Sequence, residues 1–317
     1  SDLLVPSPAW RAAVAAAEGP AVAAMLAAAR AHTPQAVVEI EGLADGLGLP
    51  FPEVFAWHCR GDLAWAAEGC TTVRAATATG GFVAHNEDGE PELFDDCVLV
   101  RLAPHDGPVV TAFAYPGSLP GNAFGINDRG LGASVNNIRV RDGRPGVPRL
   151  LVGRAVLDCA SIDEAVARVA AMPRASGYNL NLLAAGDARV VGLEFTATRV
   201  SARPVETVSV HANHALHPDL ADLPQVVTAS SAARQARAEA LLAGLGRRPT
   251  PAEAPAVIAD RAGDLPIRRS DPADPDGENT IATALLESAP DGLALSVFGG
   301  LDGAALHRFR IPARVAA

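Results

Sequence analysis

GCTTVRAATATGGFVAHNEDG, residues 69–89, is where the chain changes character. Upstream, residues 8–32 are dominated by alanine, with Leu, Val and Met at helical spacing. Pro20 divides them into two helices. Residues 34–48 read as a third helix, stopped by Gly46 and Gly48, and a short fourth is expected over 53–60. The first 69 residues are therefore a helical segment. From Cys70 onward the texture is β: 70–77, 81–86, 97–102, 109–113, 122–126 and 131–138 are short runs with turn residues between them. His85-Asn-Glu-Asp-Gly89 reads as a polar turn or strand end.

Further on, a helix pair is expected at 148–159 and 162–172. Ser161 and Glu164 form a capping box for the second. Strands follow at 179–185, 189–196 and 207–211. A helix over 229–243 is capped by Ser230 and stopped by Gly244 and Gly246, and a shorter one covers 251–261. An Asp- and Pro-rich loop spans 264–279, and the last strands are 280–286, 293–298 and 304–310. This order is not a βαβ alternation, so the fold class is α+β, with antiparallel sheets covered by helices on their outer faces. There is no internal repeat and no glycine-rich phosphate fingerprint.

Composition removes several function classes. The 317 residues carry a formal net charge of −10, and every one of the 26 basic side chains is arginine. No basic run advertises nucleic-acid binding. The lack of lysine excludes a Schiff base, a pyridoxal site and a Walker lysine. No apolar stretch is long enough to span a membrane, and no signal-peptide pattern opens the chain. Cys59, Cys70, Cys97 and Cys159 lack metal-type spacing, and the expectation is free thiols in a reducing cytoplasm.

Four segments carry possible chemistry. Cys70 opens the first strand, where a cysteine is ordinarily a buried packing residue. Cutting the Gly69–Cys70 bond would give it a second property. The thiol would then sit beside a free α-amine, whose pKa near ~8 suits a base. Gly69 leaves room for the twisted conformation that an N-to-S acyl shift requires. In the second segment, a carboxylate near Cys70 would orient or charge that amine. In the third, His211-Ala-Asn213-His214, the asparagine amide suits an oxyanion donor. A His-x-x-His pair alone is weak metal evidence, and no third ligand is evident, so no metal and no cofactor is expected. In the fourth, Asn136-Asn137 could line a pocket at a strand end.

Taken in order, Gly69-Cys70-Thr71-Thr72, Asn86-Glu-Asp88, Gly125-x-Asn127-x-x-Gly130-Leu131, Asn136, His211-x-Asn213-His214 and Ser230-Ser-x-x-Arg234-x-x-Arg237 resemble the acyl-coenzyme A:6-aminopenicillanate acyltransferase family of N-terminal nucleophile (Ntn) hydrolases. The resemblance implies a four-layer αββα sandwich of two antiparallel sheets. It implies self-cleavage into an α chain of 1–69 and a β chain of 70–317 that stay associated as one Ntn domain. Cys70 would match the nucleophile, Asp88 the assisting carboxylate and Asn213 the oxyanion donor, with Gly69 and Thr72 tied to processing. Arg268 and Arg269 are candidates for the family's arginine, to which no role is carried over.

The implied reaction is attack of the Cys70 thiolate on a small N-acyl or aminoacyl amide, with a thioester intermediate. Water then gives hydrolysis, or a second amine gives acyl transfer. A bacterial biosynthetic role fits the family. Glu87, Asn136 and His211 are weaker substrate-contact candidates. The acidic run Glu87, Asp88, Glu90, Glu92, Asp95 and Asp96 could receive a cationic amine. The alternatives are a penicillin V acylase or bile-salt hydrolase relative, against which the 69-residue leader argues, a catalytically dead binding protein, and a histidine metallohydrolase.

Overall fold

A computed structural model describes residues 5, 7–63, 69–270, 277–299 and 305–313. The N-terminal helices are α1 (Pro8–Ala15), α2 (Pro20–His32), α3 (Pro34–Leu47), α4 (Phe51–His58) and α5 (Arg60–Leu63). Each of the first four has a proline in its opening turn, where the missing N–H costs no hydrogen bond. Gly48 ends α3 at φ 66°, a left-handed conformation that glycine adopts without strain.

The strands are β1 (Gly69–Ala76), β2 (Gly81–Gly89), β3 (Val98–Leu102), β4 (Val110–Ala114), β5 (Phe124–Asn127) and β6 (Leu131–Asn137). Helices α6 (Arg149–Val156) and α7 (Ile162–Ala171) come next, followed by β7 (Tyr178–Ala184), β8 (Val190–Phe195), β9 (Val200–Pro204) and β10 (Val208–His211). The chain continues with α8 (Ala229–Leu245), α9 (Ala254–Ile258), β11 (Asn279–Ala289), β12 (Gly292–Phe298) and β13 (His307–Pro312).

Two antiparallel sheets result, in the orders β10-β1-β2-β11-β12-β13 and β3-β4-β5-β6-β7-β8-β9. Three cores separate four layers. Trp10, Ile40, Phe55 and Leu151 from the early helices and α6 pack on Leu131, Leu180 and Leu182 of the seven-stranded sheet. Val83, Phe124, Leu183, Leu286 and Leu295 fill the space between the sheets. Val73, Ala75, Phe82 and Ala84 on the outer face of the six-stranded sheet meet Ala238, Leu242, Val257 and Ile258 of α8 and α9. The αββα sandwich expected from the sequence is the one observed.

Several local readings differ. His85 to Gly89 is buried strand rather than a polar turn, because β11 pairs along β2 as far as Gly89. Strand β9 escaped the sequence reading. It is an edge strand with an exposed face and a terminal proline, so its apolar alternation is weak. Helix α8 is capped by Thr228, whose hydroxyl accepts from the Ser231 N–H, and Ser230 lies inside it. The helix expected over 251–261 is only Ala254–Ile258. Of the loop expected over 264–279, residues 271–276 lie outside the described residues. So does residue 304 of the last expected strand.

His58 couples this fold to pH. It is buried, its Nδ1 lies 2.7 Å from the Val54 carbonyl, and its Nε2 accepts from the Leu119 N–H at 2.9 Å. Burial pushes its pKa down to about 4. The unfolded imidazole titrates near ~6.5, so the unfolded state binds the extra proton first as pH falls. Stability is full above that value and declines toward pH ~4, by about 2 kcal/mol between pH 7 and 5. Urea unfolding at both pH values checks this. His58→Gln, which can keep both hydrogen bonds, is expected to flatten the dependence by that amount.

Candidate active site

Strands β1 and β2 place the chemistry through their register. Cys70 stands opposite Glu87, Thr72 opposite His85, and Gly69 opposite Asp88. Side chains alternate along a strand, so Cys70, Thr72, His85 and Glu87 share the face turned toward the other sheet. Gly69, Thr71, Asn86 and Asp88 share the face turned toward α8 and α9. A bulge in β11 between Thr280 and Ala282 lies beside this pairing.

On the inner face, the Cys70 thiol points at Glu87 Oε2, 3.6 Å away. His85 Nε2 lies 3.0 Å from the same oxygen, and the Tyr115 hydroxyl donates to Glu87 Oε1 at 2.6 Å. Thr72 Oγ1 links His85 Nδ1 at 2.8 Å with Asn136 Oδ1 at 3.0 Å. Asn136 in turn donates to the His211 carbonyl. Burial pushes His85 down to about 3, which makes the ring neutral.

At the head of β1, the Cys70 N–H donates to Asn213 Oδ1 at 2.9 Å, and Arg234 Nη2 donates to the same oxygen at 2.7 Å. Arg234 Nη1 reaches the Cys70 carbonyl at 2.5 Å and Thr71 Oγ1 at 2.8 Å. Asn213 Nδ2 donates to the Asn137 carbonyl, while the Asn137 N–H bonds the Cys70 sulfur. Burial raises the Cys70 thiol well above its ordinary range. The negative charges of Glu87 and Asp88 add to this, while the Asn137 N–H and the Arg234 charge oppose it. The thiol is therefore protonated in this state.

Asp88 sits on the opposite face of the sheet from the thiol. Its Oδ1 accepts from Thr280 Oγ1 at 2.6 Å, and Arg269 Nη1 is 4.0 Å from Oδ2. Arg269 also pairs with Glu278. Burial, with the Asp88 charge beside it, lifts the Glu278 carboxyl to about 8 even with that partner. Gly69 is wedged against the three of them. A Cβ there would come within 2.6 Å of Glu278, 2.9 Å of Arg269 and 3.3 Å of Asp88. No side chain fits without displacing that cluster.

His211 is occupied elsewhere, by Glu194 at 2.9 Å. Burial works to raise Glu194, but the hydrogen bond and charge of His211 bring it down to about 2. Glu90, Glu92, Asp95 and Asp96 are exposed and separate from buried Glu87 and Asp88, so the acidic run is not one surface. Arg268 is buried and immediately precedes Arg269 in the same loop. Beside Asn137 opens a cleft of about 520 Å³, lined by Asp62, Arg139, Arg141, Arg149 and Ser176 among others.

Sequence reasoning assigned no role to Arg234 or Tyr115. For Arg234 a signal existed: it lies on the stripe Ser230, Arg234, Ala238, Leu242, the buried face of α8. An arginine there needs buried acceptors. Nothing local marks Tyr115, which only the packing of the two sheets brings to Glu87.

The model of the acyl-coenzyme A:6-aminopenicillanic acid acyl-transferase family matches residues 75–298. The chain belongs to this family. Glu87, Asp88, Asn213, Arg234 and Arg269 fall within the matched span of this acyl-transferase family member, while Gly69, Cys70 and Thr72 immediately precede it. A curated relative, the beta-alanyl-dopamine/carcinine hydrolase of Drosophila melanogaster, is 28% identical over 179 residues. That is 49% of this chain and 46% of that protein, so the chain spans about half the length of the curated relative it matches. Among solved structures, the Caenorhabditis elegans ortholog of N-acylethanolamine-hydrolyzing acid amidase is similar with a TM-score of 0.49 and 16% identity, covering 68% of this chain and 92% of that one. A mutant conjugated bile acid hydrolase from Clostridium perfringens follows with a TM-score of 0.44 and 13% identity, covering 75% and 96%.

Proposed function

We propose that this chain is a cysteine amidohydrolase that matures by cutting itself at Gly69–Cys70 and then cleaves a small amide through a Cys70 thioester, in bacterial secondary metabolism. The observation that carries this reading is the seat of the Cys70 nitrogen. It is already hydrogen-bonded to Asn213, so a cut would release an amine into a prepared position beside its own thiol. That amine would take the proton of the raised thiol, and its positive charge would favour the thiolate.

The thiolate attacks the amide carbonyl. The oxyanion draws on Asn213 Nδ2 and the Asn137 N–H, and the leaving amine takes a proton from the α-ammonium. Water then hydrolyses the thioester; an amine in its place would give acyl transfer, the second reading. Asp88, Arg269 and Glu278 pack around Gly69 and would hold the peptide bond during processing. Denaturing mass spectrometry of the wild-type protein tests the proposal. Two species breaking at Gly69/Cys70 are expected, and a single chain that also shows no amidase activity would sink it.

The cleft beside Asn137 presents three guanidinium groups and one carboxylate. We infer that the preferred amide carries an anionic group, rather than the cationic amine suggested by the acidic run. Arg139→Gln is expected to raise KM about tenfold for a carboxylate-bearing amide, in line with loss of a charge-assisted hydrogen bond, and to leave a neutral analogue unchanged. Equal effects on both substrates would refute this.

A further inference from the structure

We propose that Cys70, His85 and Glu87 form a binding site for one thiophilic divalent cation of the zinc class, whose occupancy locks the nucleophile. The sequence suggested no such trio. His85 and Glu87 read as part of a polar turn, and the histidines weighed as ligands were those of the 211–214 segment. Cross-strand register brings the three together instead.

The donor atoms Cys70 Sγ, His85 Nε2 and Glu87 Oε2 lie within 4.8 Å of one another. Two of the edges are 3.6 Å, sulfur to oxygen, and 3.0 Å, nitrogen to oxygen. Tetrahedral zinc, with bonds of about 2.3 Å to sulfur and about 2.0 Å to nitrogen or oxygen, needs edges of roughly 3.3–3.5 Å. Those two edges need shifts of only a few tenths of an ångström, and the third, sulfur to nitrogen, is no longer than 4.8 Å. One sulfur, one nitrogen and one oxygen donor is a set that zinc accepts, with the fourth position left for water.

The outer supports are also present. A ligating imidazole needs an acceptor for its other ring N–H, and Thr72 Oγ1 lies 2.8 Å from His85 Nδ1. Thr72 passes its own hydrogen to Asn136 Oδ1, so this arrangement leaves Nε2 with a free lone pair. A ligating carboxylate needs its other oxygen held, and Tyr115 holds Glu87 Oε1.

The exchange balances. With His85 neutral and Glu87 ionised, the metal-free site holds one displaceable proton, on Cys70. Binding expels it to solvent and forms M–S, M–N and M–O bonds, with no electron transferred. A dication replaces one proton, so the buried charge of the trio goes from −1 to zero.

The locking effect rests on Cys70 being the nucleophile, whereas the site itself does not. Protein stripped with chelator and titrated with Cd²⁺ is expected to bind one equivalent with a thiolate-to-metal charge-transfer band. Affinity is expected to fall about 100-fold in His85→Gln and about 10-fold in Tyr115→Phe. Zn²⁺ is expected to stop amide turnover until chelator is added. Absence of the band, or Cd²⁺ affinities unchanged in both variants, would overturn the site. Should His85→Gln fail to fold, Tyr115→Phe carries the comparison, since it removes one hydroxyl only. A band in wild type combined with wild-type turnover in Cys70→Ala would keep the site and discard the nucleophile reading.

Discussion

Cys70→Ala is expected to remain one uncut chain of 32.5 kDa and to turn over no amide. Both losses follow from one atom. In the proposed mechanism the sulfur attacks the Gly69 carbonyl during self-cleavage, and the same sulfur carries the acyl group during turnover. Nucleophile removal is among the largest single effects known in enzymes, on the order of 10⁶-fold in kcat for a serine protease. The substitution removes only a buried sulfur, and the strand pairs of β1 with β2 and β10 remain. The variant should therefore still fold and melt cooperatively near neutral pH. Mass spectrometry and an amidase assay on the same preparation decide the matter. A cut chain in the variant, or retained turnover, removes Cys70 from the mechanism.

The second large effect is expected at Asn213. Its side chain does two jobs: Oδ1 receives the Cys70 N–H and Arg234, and Nδ2 donates to the Asn137 carbonyl beside the proposed reacting centre. Loss of one oxyanion donor costs about 10²–10³ in kcat. Asn213→Ala also leaves Arg234, a buried cation, with one acceptor fewer. A drop of at least that range is expected in kcat, with KM little changed, because the donor acts on charge that develops after binding. Asn213→Asp keeps Oδ1 and loses the donor. It should therefore process its chain better than Asn213→Ala while turning over no faster. Equal processing by the two variants would argue that Oδ1 does not seat the amine.

The two-sheet architecture was legible because short β-runs and paired helices alternate in blocks, and block order survives errors at the ends of elements. The segment His85–Gly89 was not legible as strand. Its composition is that of a turn, and what extends it is pairing with residues near 279, almost two hundred positions away. The same distance hides the site. Cys70, Asp88 and Asn213 stand out by motif, but the face each occupies depends on strand parity, which a one-residue error in β2 would invert. That is why Glu87, a weak candidate by sequence, faces the thiol, and Asp88 faces away from it. Tyr115 carries no local signature at all. Arg234 did, as an arginine on the apolar stripe of a helix.

The layer of helices before residue 64 is not an appendage. Glu39 of α3 grips Arg154 of α6 with both oxygens, at 2.6 and 2.8 Å. Trp57 donates to Ser118, and His58 accepts from Leu119. These contacts join residues on opposite sides of the proposed cut. Before cutting, the pieces meet at the high local concentration set by a shared backbone. Afterwards they would be two molecules, and regaining the fold from denaturant would become a second-order encounter that slows with dilution. Maturation would thus turn a reversible folder into a protein that, once opened, finds its way back only when crowded with its own severed half.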